Sequence, residues 1–557
     1  MVLGFQFSFQ PPPLNPLTKK AQRIPVFNPI DRHGRVFFFS WMGFMVAFWA
    51  WYTFPPLLTH TIKHSLHLTP TQISNSNILS LVATLLVRLI SGWACDRYGP
   101  RLVFASILLL GSIPIGLAPL ITNVTGLYII RFFIGILGGS FVPCQVWCTA
   151  WFDKNVVGTA NAVAGGWGNA GGGVTYFVMP AVFDSLVGRW GMSEGKAWRV
   201  TFVVPLVCLL VCGLGLMLLC EDTPGGRWRE RDRGLNLGAA EGRAEGDEET
   251  VIEGVDPKSA SGAETPTATA TATATMDEEE KGSAKTMSDT ESTTRTRPDV
   301  ERGEVVVPAS TQNLEGTTTP ALTILLSPQT IFHILTYFCS FGSELAINSV
   351  LSSYFLSISP SSLTQTSASN YAAIFGFLNF FTRPLGGLVS DLLYKSFGGA
   401  SSTSSTTSPS PSPPKAKPLW ARKLLISLST LLSGTFLLLL GLLAPTSLGT
   451  VIGLVILAAI FIEAGNGANF GLIPFVWPER NGVVSGVTGA GGNLGGVLFA
   501  LVFRFVGGHG GKGGYEKAIW ILGVVNLVVG VGGLGVRPVP GMGSIRREGG
   551  RRRRWLW

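Results

Sequence analysis

Long apolar stretches alternate with short polar ones along the whole chain. The run "FFFSWMGFMVAFWAWYTFPPLL" (37–58) carries no charge. A stretch of about 20 such residues is enough for a helix to cross a bilayer. The pattern predicts twelve spans, at 36–58, 71–95, 101–122, 125–152, 156–187, 198–220, 327–357, 367–395, 421–444, 447–476, 481–506 and 516–536. Two polar insertions break the series. Residues 221–326 are rich in Thr, Glu and Arg and have almost no aromatics, so they cannot bury enough apolar surface to fold. Residues 397–418, "FGGASSTSSTTSPSPSPPKAKP", read as a low-complexity loop. The expected organisation is a tail (1–35), a six-helix half (36–220), a disordered linker (221–326), a second six-helix half (327–536) and a basic tail (537–557).

Composition sharpens this picture. Of the 557 residues, 46% are hydrophobic and 13% charged, against about 25% charged in soluble proteins. The fold class is an all-α membrane protein. The net charge of +9 comes from Lys and Arg flanking the apolar runs, which is a topology pattern and no argument for nucleic acid. Their distribution places both termini in the cytoplasm. The basic C-terminus "RREGGRRRRWLW" suits anionic lipid headgroups. The seven cysteines lie in or beside apolar runs, with neither a disulfide framework nor metal spacing. No metal or cofactor is expected. The sequence offers no nucleophile–base set and no nucleotide loop, so an enzyme is not expected. The polar, proline-rich N-terminus has no cleavable signal peptide, and the first helix is expected to act as an internal signal.

The two halves repeat each other. Arg88, Gly92 and Asp96 end the second span as R-x3-G-x3-D, and Arg383, Gly387 and Asp391 do the same in the eighth. "GGWGNAGGG" (165–173) in span five matches "TGAGGNLGG" (488–496) in span eleven. Two such halves define a pseudosymmetric transporter. Seven glycines fall within 158–173, each costing roughly 1 kcal/mol against Ala in a soluble helix. In lipid, small residues let helices approach closely, and glycine also admits a ligand to the backbone. Recurrence around one asparagine in each half points to Gly165, Asn169, Gly489 and Asn493 as site residues.

Arg88 and Arg383 each lie two turns before their Asp, about 12 Å inside the helix end. An arginine that deep needs a partner or a wet cavity. Two readings stay open. Glu344 and Glu463 could form ion pairs with them, or the partner could be a substrate. A guanidinium offers parallel donors that match a planar oxyanion such as nitrate or nitrite. Arg131, early in span four, is expected to pair with Asp96 or a helix-end Glu. The loop "GWACDRYGPR" (92–101) supplies Gly92, Asp96, Arg97, Gly99 and Arg101. There glycine makes the turn and Asp96 can cap a neighbouring helix. With Asp391, this loop is expected to latch the halves together on the inside.

"AGGWGNAGGG", "GVTGAGGNLGG", "VRLISG" and "TRPLGG" together resemble the nitrate/nitrite porter family of the major facilitator superfamily. The N-terminal "NPLTKKAQRIPVFNPIDRHGRVFFFSW" and the long insertion are similar to fungal high-affinity members. The resemblance implies a nitrate held by Arg88 and Arg383, with Asn169, Tyr337, Phe341, Phe54 and Phe141 around it and Asn493 as the second-half counterpart of Asn169. It implies import across the plasma membrane, coupled to protons or by nitrate/nitrite exchange. Glu344 and Glu463 are the proton-coupling candidates. A transporter of small organic anions is a further reading. So is a nitrate receptor without net transport, in which "MSDTEST" (287–293) would serve kinases or other regulators. A simple spacer is the favoured reading of the linker.

Overall fold

A computed structural model describes residues 4–230, 321–359, 363, 365–399, 416–445, 447–507 and 511–540. Among them are twelve helices long and apolar enough to cross a membrane. In the first half these are α1 (Arg32–Leu57), α2 (Thr71–Tyr98), α3 (Pro100–Leu120), α4 (Val124–Trp151), α5 (Val157–Gly188) and α6 (Glu194–Leu219). In the second half they are α7 (Pro328–Ile358), α8 (Asn370–Gly398), α9 (Lys417–Leu443), α10 (Leu448–Val476), α11 (Pro478–Val506) and α12 (Gly511–Leu534). The twelve expected spans are all present.

Local chemistry sets the helix starts. The Asp31 carboxylate accepts from His33 N and Gly34 N ahead of α1. Thr69 and Gln72 form a reciprocal capping box ahead of α2, with Pro70 in the first turn. Asn123 Oδ1 accepts from Gly126 N at 2.7 Å to start α4. Gly99, at φ +94°, turns the chain between α2 and α3, a conformation that costs other residues strain.

The glycines of α5 and α11 work in two groups, matched between the halves. Gly158, Gly165 and Gly166 face Asp391, Arg383 and Asn379 on α8. Gly482, Gly486 and Gly489 face α2 in the same way, against Gly92, Asp96 and Arg88. The second group packs within its own half. Gly168 and Gly171 meet Phe44 and Met45 on α1, while Gly491, Gly492, Gly495 and Gly496 meet Ile334, Tyr337, Phe338 and Leu345 on α7. So only one group of each lies between the halves.

Three expected boundaries change. The 1–35 segment is no loose tail. Its strands β1 (Phe5–Gln6) and β2 (Ile24–Pro25) pair in parallel, and Ala21 N donates to Trp151 O at 2.9 Å. The start of the linker is packed too. The Trp147 and Trp151 indoles donate to Asp222 O, and Trp228 Nε1 donates to Asp96 O at 3.0 Å. These residues carry apolar side chains that the polar composition around them concealed. Of the 397–418 loop, α8 continues to Gly398 and helix resumes at Ala416. Residues 231–320, including "MSDTEST", and 541–557 lie outside the described residues.

The glycine fit gives a direct test. A methyl group on Gly171 would sit 2.1 Å from Met45 O, whereas at Gly173 nothing lies within 4 Å. Gly171→Ala should cost about 1–3 kcal/mol through overpacking. Gly173→Ala should be neutral or stabilise by up to roughly 1 kcal/mol through helix propensity. Thermal unfolding of the purified variants in detergent distinguishes them, and equal midpoints would refute the packing account.

Candidate functional site

Arg88 on α2 and Arg383 on α8 are each 1% exposed. Each lies against the glycine of the opposite half. A methyl group on Gly165 would come within 3.0 Å of Arg383 Nε, and one on Gly489 within 3.2 Å of Arg88 Cδ. A methyl group would be tightly placed at both positions, because the arginine side chains fill the space beside them. Arg88 Nη1 donates to Gly489 O at 2.9 Å and its Nε to Gly138 O at 3.0 Å.

The two guanidiniums share one aromatic ring. The Arg88 and Arg383 Cζ atoms lie 5.0 and 5.3 Å from the Phe141 centroid. Arg88 also lies 5.2 Å from Phe341. Tyr337 stacks on Phe341 at 5.1 Å and on Phe141 at 6.1 Å, both nearly parallel. Phe470 on α10 closes the cluster edge-on to Phe141 and Tyr337. Arg383 Nη2 donates to Tyr337 Oη at 3.3 Å. Its Nε and Nη1 are buried with no hydrogen-bond partner among the described residues. Both amide atoms of Asn169 are in the same condition. Leaving buried charged donors unpaired is expensive, so the Arg383 N–H groups are a cost that the protein itself leaves uncompensated.

The ion-pair reading fails. Among the described residues neither arginine forms a salt bridge with Glu344 or Glu463. Glu344 instead accepts from the Asn379 and Asn466 amides, and Glu463 from the Thr382 hydroxyl. Arg131 does not reach Asp96. It donates to Asn77 Oδ1 and lies 5.4 Å from the Phe54 ring. Phe54 packs on Phe202 at 4.8 Å, because the α1 helix breaks at Tyr52–Thr53 just before it. Its ring contacts are thus with Phe202 and Arg131 and not with the arginine pair. Asn493 is buried and donates to Gly489 O at 3.2 Å within its own helix. It supports the carbonyl that holds Arg88.

At one end of the bundle the halves are clasped twice. The Asp96 carboxylate accepts from Gly482 N at 2.8 Å and Val483 N at 2.9 Å, capping α11. The Asp391 carboxylate accepts from Gly158 N at 3.1 Å and from Thr159 N and Oγ1 at 2.6 and 2.7 Å, capping α5. Gly92 and Gly387 permit the approach. A methyl group on either would fall within about 2.5 Å of the facing helix backbone, at Gly482 O and Gly158 O. Arg97 and Arg101 do not cross between the halves. Arg97 lies over Trp93 and Tyr98 of its own helix, and Arg101 pairs with Asp222 at 2.6 Å. The cation at the clasp is Arg422 on α9, fully buried, paired with Asp391 at 2.6 Å and donating also to Gly471 O and Lys154 O. Arg422, Thr159, Phe470, Asn379, Asn466 and Thr382 carry no motif of their own. The one legible clue was an amide within an apolar run, as at Asn379 and Asn466.

The fold is that of a membrane transporter built from two six-helix halves. The sequence profile of the Major Facilitator Superfamily matches residues 40–405, and the chain belongs to that superfamily. Its relatives bear out the resemblance to the nitrate/nitrite porters. It is 29% identical to high affinity nitrate transporter 2.5 of Arabidopsis thaliana, over 91% of this chain and 80% of that one. It is 27% identical to the nitrate/nitrite transporter NrtP of Nostoc punctiforme, over 86% of this chain and 88% of that one. It is also 30% identical to elsinochrome transporter 1 of Elsinoe fawcettii, over 94% and 97%. The E. coli fucose:proton symporter shares the fold, with a TM-score of 0.53 at 12% identity over 90% of this chain and 99% of that one.

Asp391 neutralises a buried cation, so Asp391→Ala strands Arg422 and should cost about 3–5 kcal/mol. The double change Asp391→Leu with Arg422→Met should recover most of that loss. Thermal unfolding of the two variants checks this, and a double variant no more stable than Asp391→Ala would contradict it.

Proposed function

We propose that the protein imports nitrate, and with it nitrite, by alternating access, with the anion held between Arg88 and Arg383. One observation carries this reading. Two buried guanidiniums from opposite halves meet over the Phe141 ring, and Arg383 keeps two N–H groups without a protein partner among the described residues. A planar oxyanion accepts from parallel guanidinium donors. Asn169, with its amide unpaired, supplies further donors. The nitrate transporters among the relatives support the same substrate.

Anion binding links the halves in the middle, while Asp96 and Asp391 link them at one end. Release of the clasps opens that end, which is the cytoplasmic one in this reading. The membrane is the plasma membrane. Two guanidiniums and one anion leave one positive charge in excess. Glu344 and Glu463 lie beside the site, because Asn379 and Thr382, which bind them, share a helical turn with Arg383. Protons on these carboxylates provide the coupling. Nitrate/nitrite exchange is the competing mode. The relative named for elsinochrome favours a second substrate reading. Against it, Phe141, Tyr337 and Phe341 are at most 2% exposed and stack on one another, which suits a small ligand.

The test is nitrate-elicited current in cells expressing wild type, Arg88→Lys and Arg383→Lys at several external pH values. Inward current should grow with acidity. Each Lys variant should lose about 10- to 100-fold in apparent affinity, the worth of one charged hydrogen bond. Flux without current or pH dependence would replace symport by exchange. Normal transport in both variants would refute the planar-fork site. Glu344→Gln and Glu463→Gln should flatten the pH dependence, and pH-dependent currents unchanged in both would exclude these carboxylates as carriers.

A further inference from the structure

Five buried polar residues close a ring beside Arg383. Asn379 and Thr382 lie one turn apart on α8, and Glu463 and Asn466 one turn apart on α10. Glu344 comes from α7. Its carboxylate accepts from Asn379 Nδ2 and, at 2.7 Å, from Asn466 Nδ2. Thr382 Oγ1 donates to Glu463 Oε2. Each amide therefore turns its N–H side to Glu344 and leaves its carbonyl oxygen over. Asn379 Oδ1, Asn466 Oδ1 and Glu463 Oε1 are buried and have no hydrogen-bond partner among the described residues. The five residues are between 0% and 7% exposed.

The three unpaired atoms are all oxygens. The imbalance is the reverse of that at Arg383, where the unpaired atoms are N–H donors. A proton on Glu463 Oε1 would satisfy that oxygen and give one donor to one amide, leaving the other amide carbonyl unpaired. A hard metal cation accepts several oxygen ligands at once. We propose that the oxygens of Glu344, Glu463, Asn379 and Asn466 form a binding site for a small monovalent metal cation of the sodium class, loaded together with the anion. This rests on the reading that Arg383 holds an anion. One such cation offsets one of the two carboxylate charges beside Arg383. Protons compete for the same carboxylates. Among the described residues, the other charged or titratable groups facing the ring are Arg383 and Tyr337 in the second half and Tyr52 in the first.

The experiment uses the purified full chain in two assays. In proteoliposomes, nitrate uptake is measured at fixed pH with sodium or choline as the only monovalent cation. In detergent, thermal unfolding is followed as sodium chloride replaces choline chloride. Uptake should fall several-fold without sodium, and sodium should raise the midpoint in the absence of nitrate. The half-saturating sodium concentration should fall as pH rises, because protons leave the carboxylates. Asn379→Leu and Asn466→Leu should each raise it by about 10-fold, the loss of about 1.4 kcal/mol, with uptake recovering at high sodium. Identical uptake and midpoints in sodium and choline at every pH would overturn the proposal. Uptake that still responded to pH would then assign the ring to protons alone and leave the nitrate reading standing. Absence of nitrate uptake in every medium would instead defeat that reading, and the sodium-dependent midpoint would still decide the cation site.

Discussion

The structure depends on two guanidiniums buried at the junction of two helix bundles. Neither could stay there alone, because removing a permanent charge from water costs several kcal/mol even after relaxation. The chain meets part of this cost with backbone carbonyls at Gly138 and Gly489 and with the Tyr337 hydroxyl. Phe141 takes the faces of both ions. In the proposed reading a ligand supplies what the protein leaves unpaired on Arg383, so substrate recognition and the cohesion of the halves would be one interaction.

The clasp at the end of the bundle is built from weaker parts. Each carboxylate caps the first turn of a helix in the other half, where unsatisfied N–H groups and the helix dipole favour an anion. Such contacts are short-ranged, and a helix cap is worth about 1 kcal/mol. At the second clasp Asp391 also neutralises Arg422. At the first, the Trp228 indole reaches the Asp96 carbonyl.

Much of this was legible in the sequence. Lipid demands long apolar helices with every backbone group paired, so the spans wrote themselves into the hydropathy pattern. Arg88 and Arg383 stood out because charges are rare in such runs, and the repeat identified Asp96 and Asp391 as a pair. The cap on α11 by Asp96 followed from the chemistry of a carboxylate near a helix start. The rest depends on where side chains meet across helices, which no local pattern encodes. Phe54 sits in the right stretch of α1, yet a helix break turns it toward Phe202 and Arg131. Arg97 and Arg101 carry the familiar motif but pack within their own half. Arg422 looked like one more flanking basic residue. Residues 4–31 and 221–230 looked like solvent-exposed polar chain because their few anchors, Ala21, Ile24 and Trp228, are sparse.

The crosswise seating of each arginine on the other half's glycine has a consequence for how such a chain can change over generations. Arg383 fills the space above Gly165, and Arg88 fills the space above Gly489. A substitution at either glycine meets a residue inherited with the other copy of the repeat. The two halves are then not free to drift apart as separate modules. A half exchanged between distant relatives would fit at the centre only where the incoming arginine still meets a glycine.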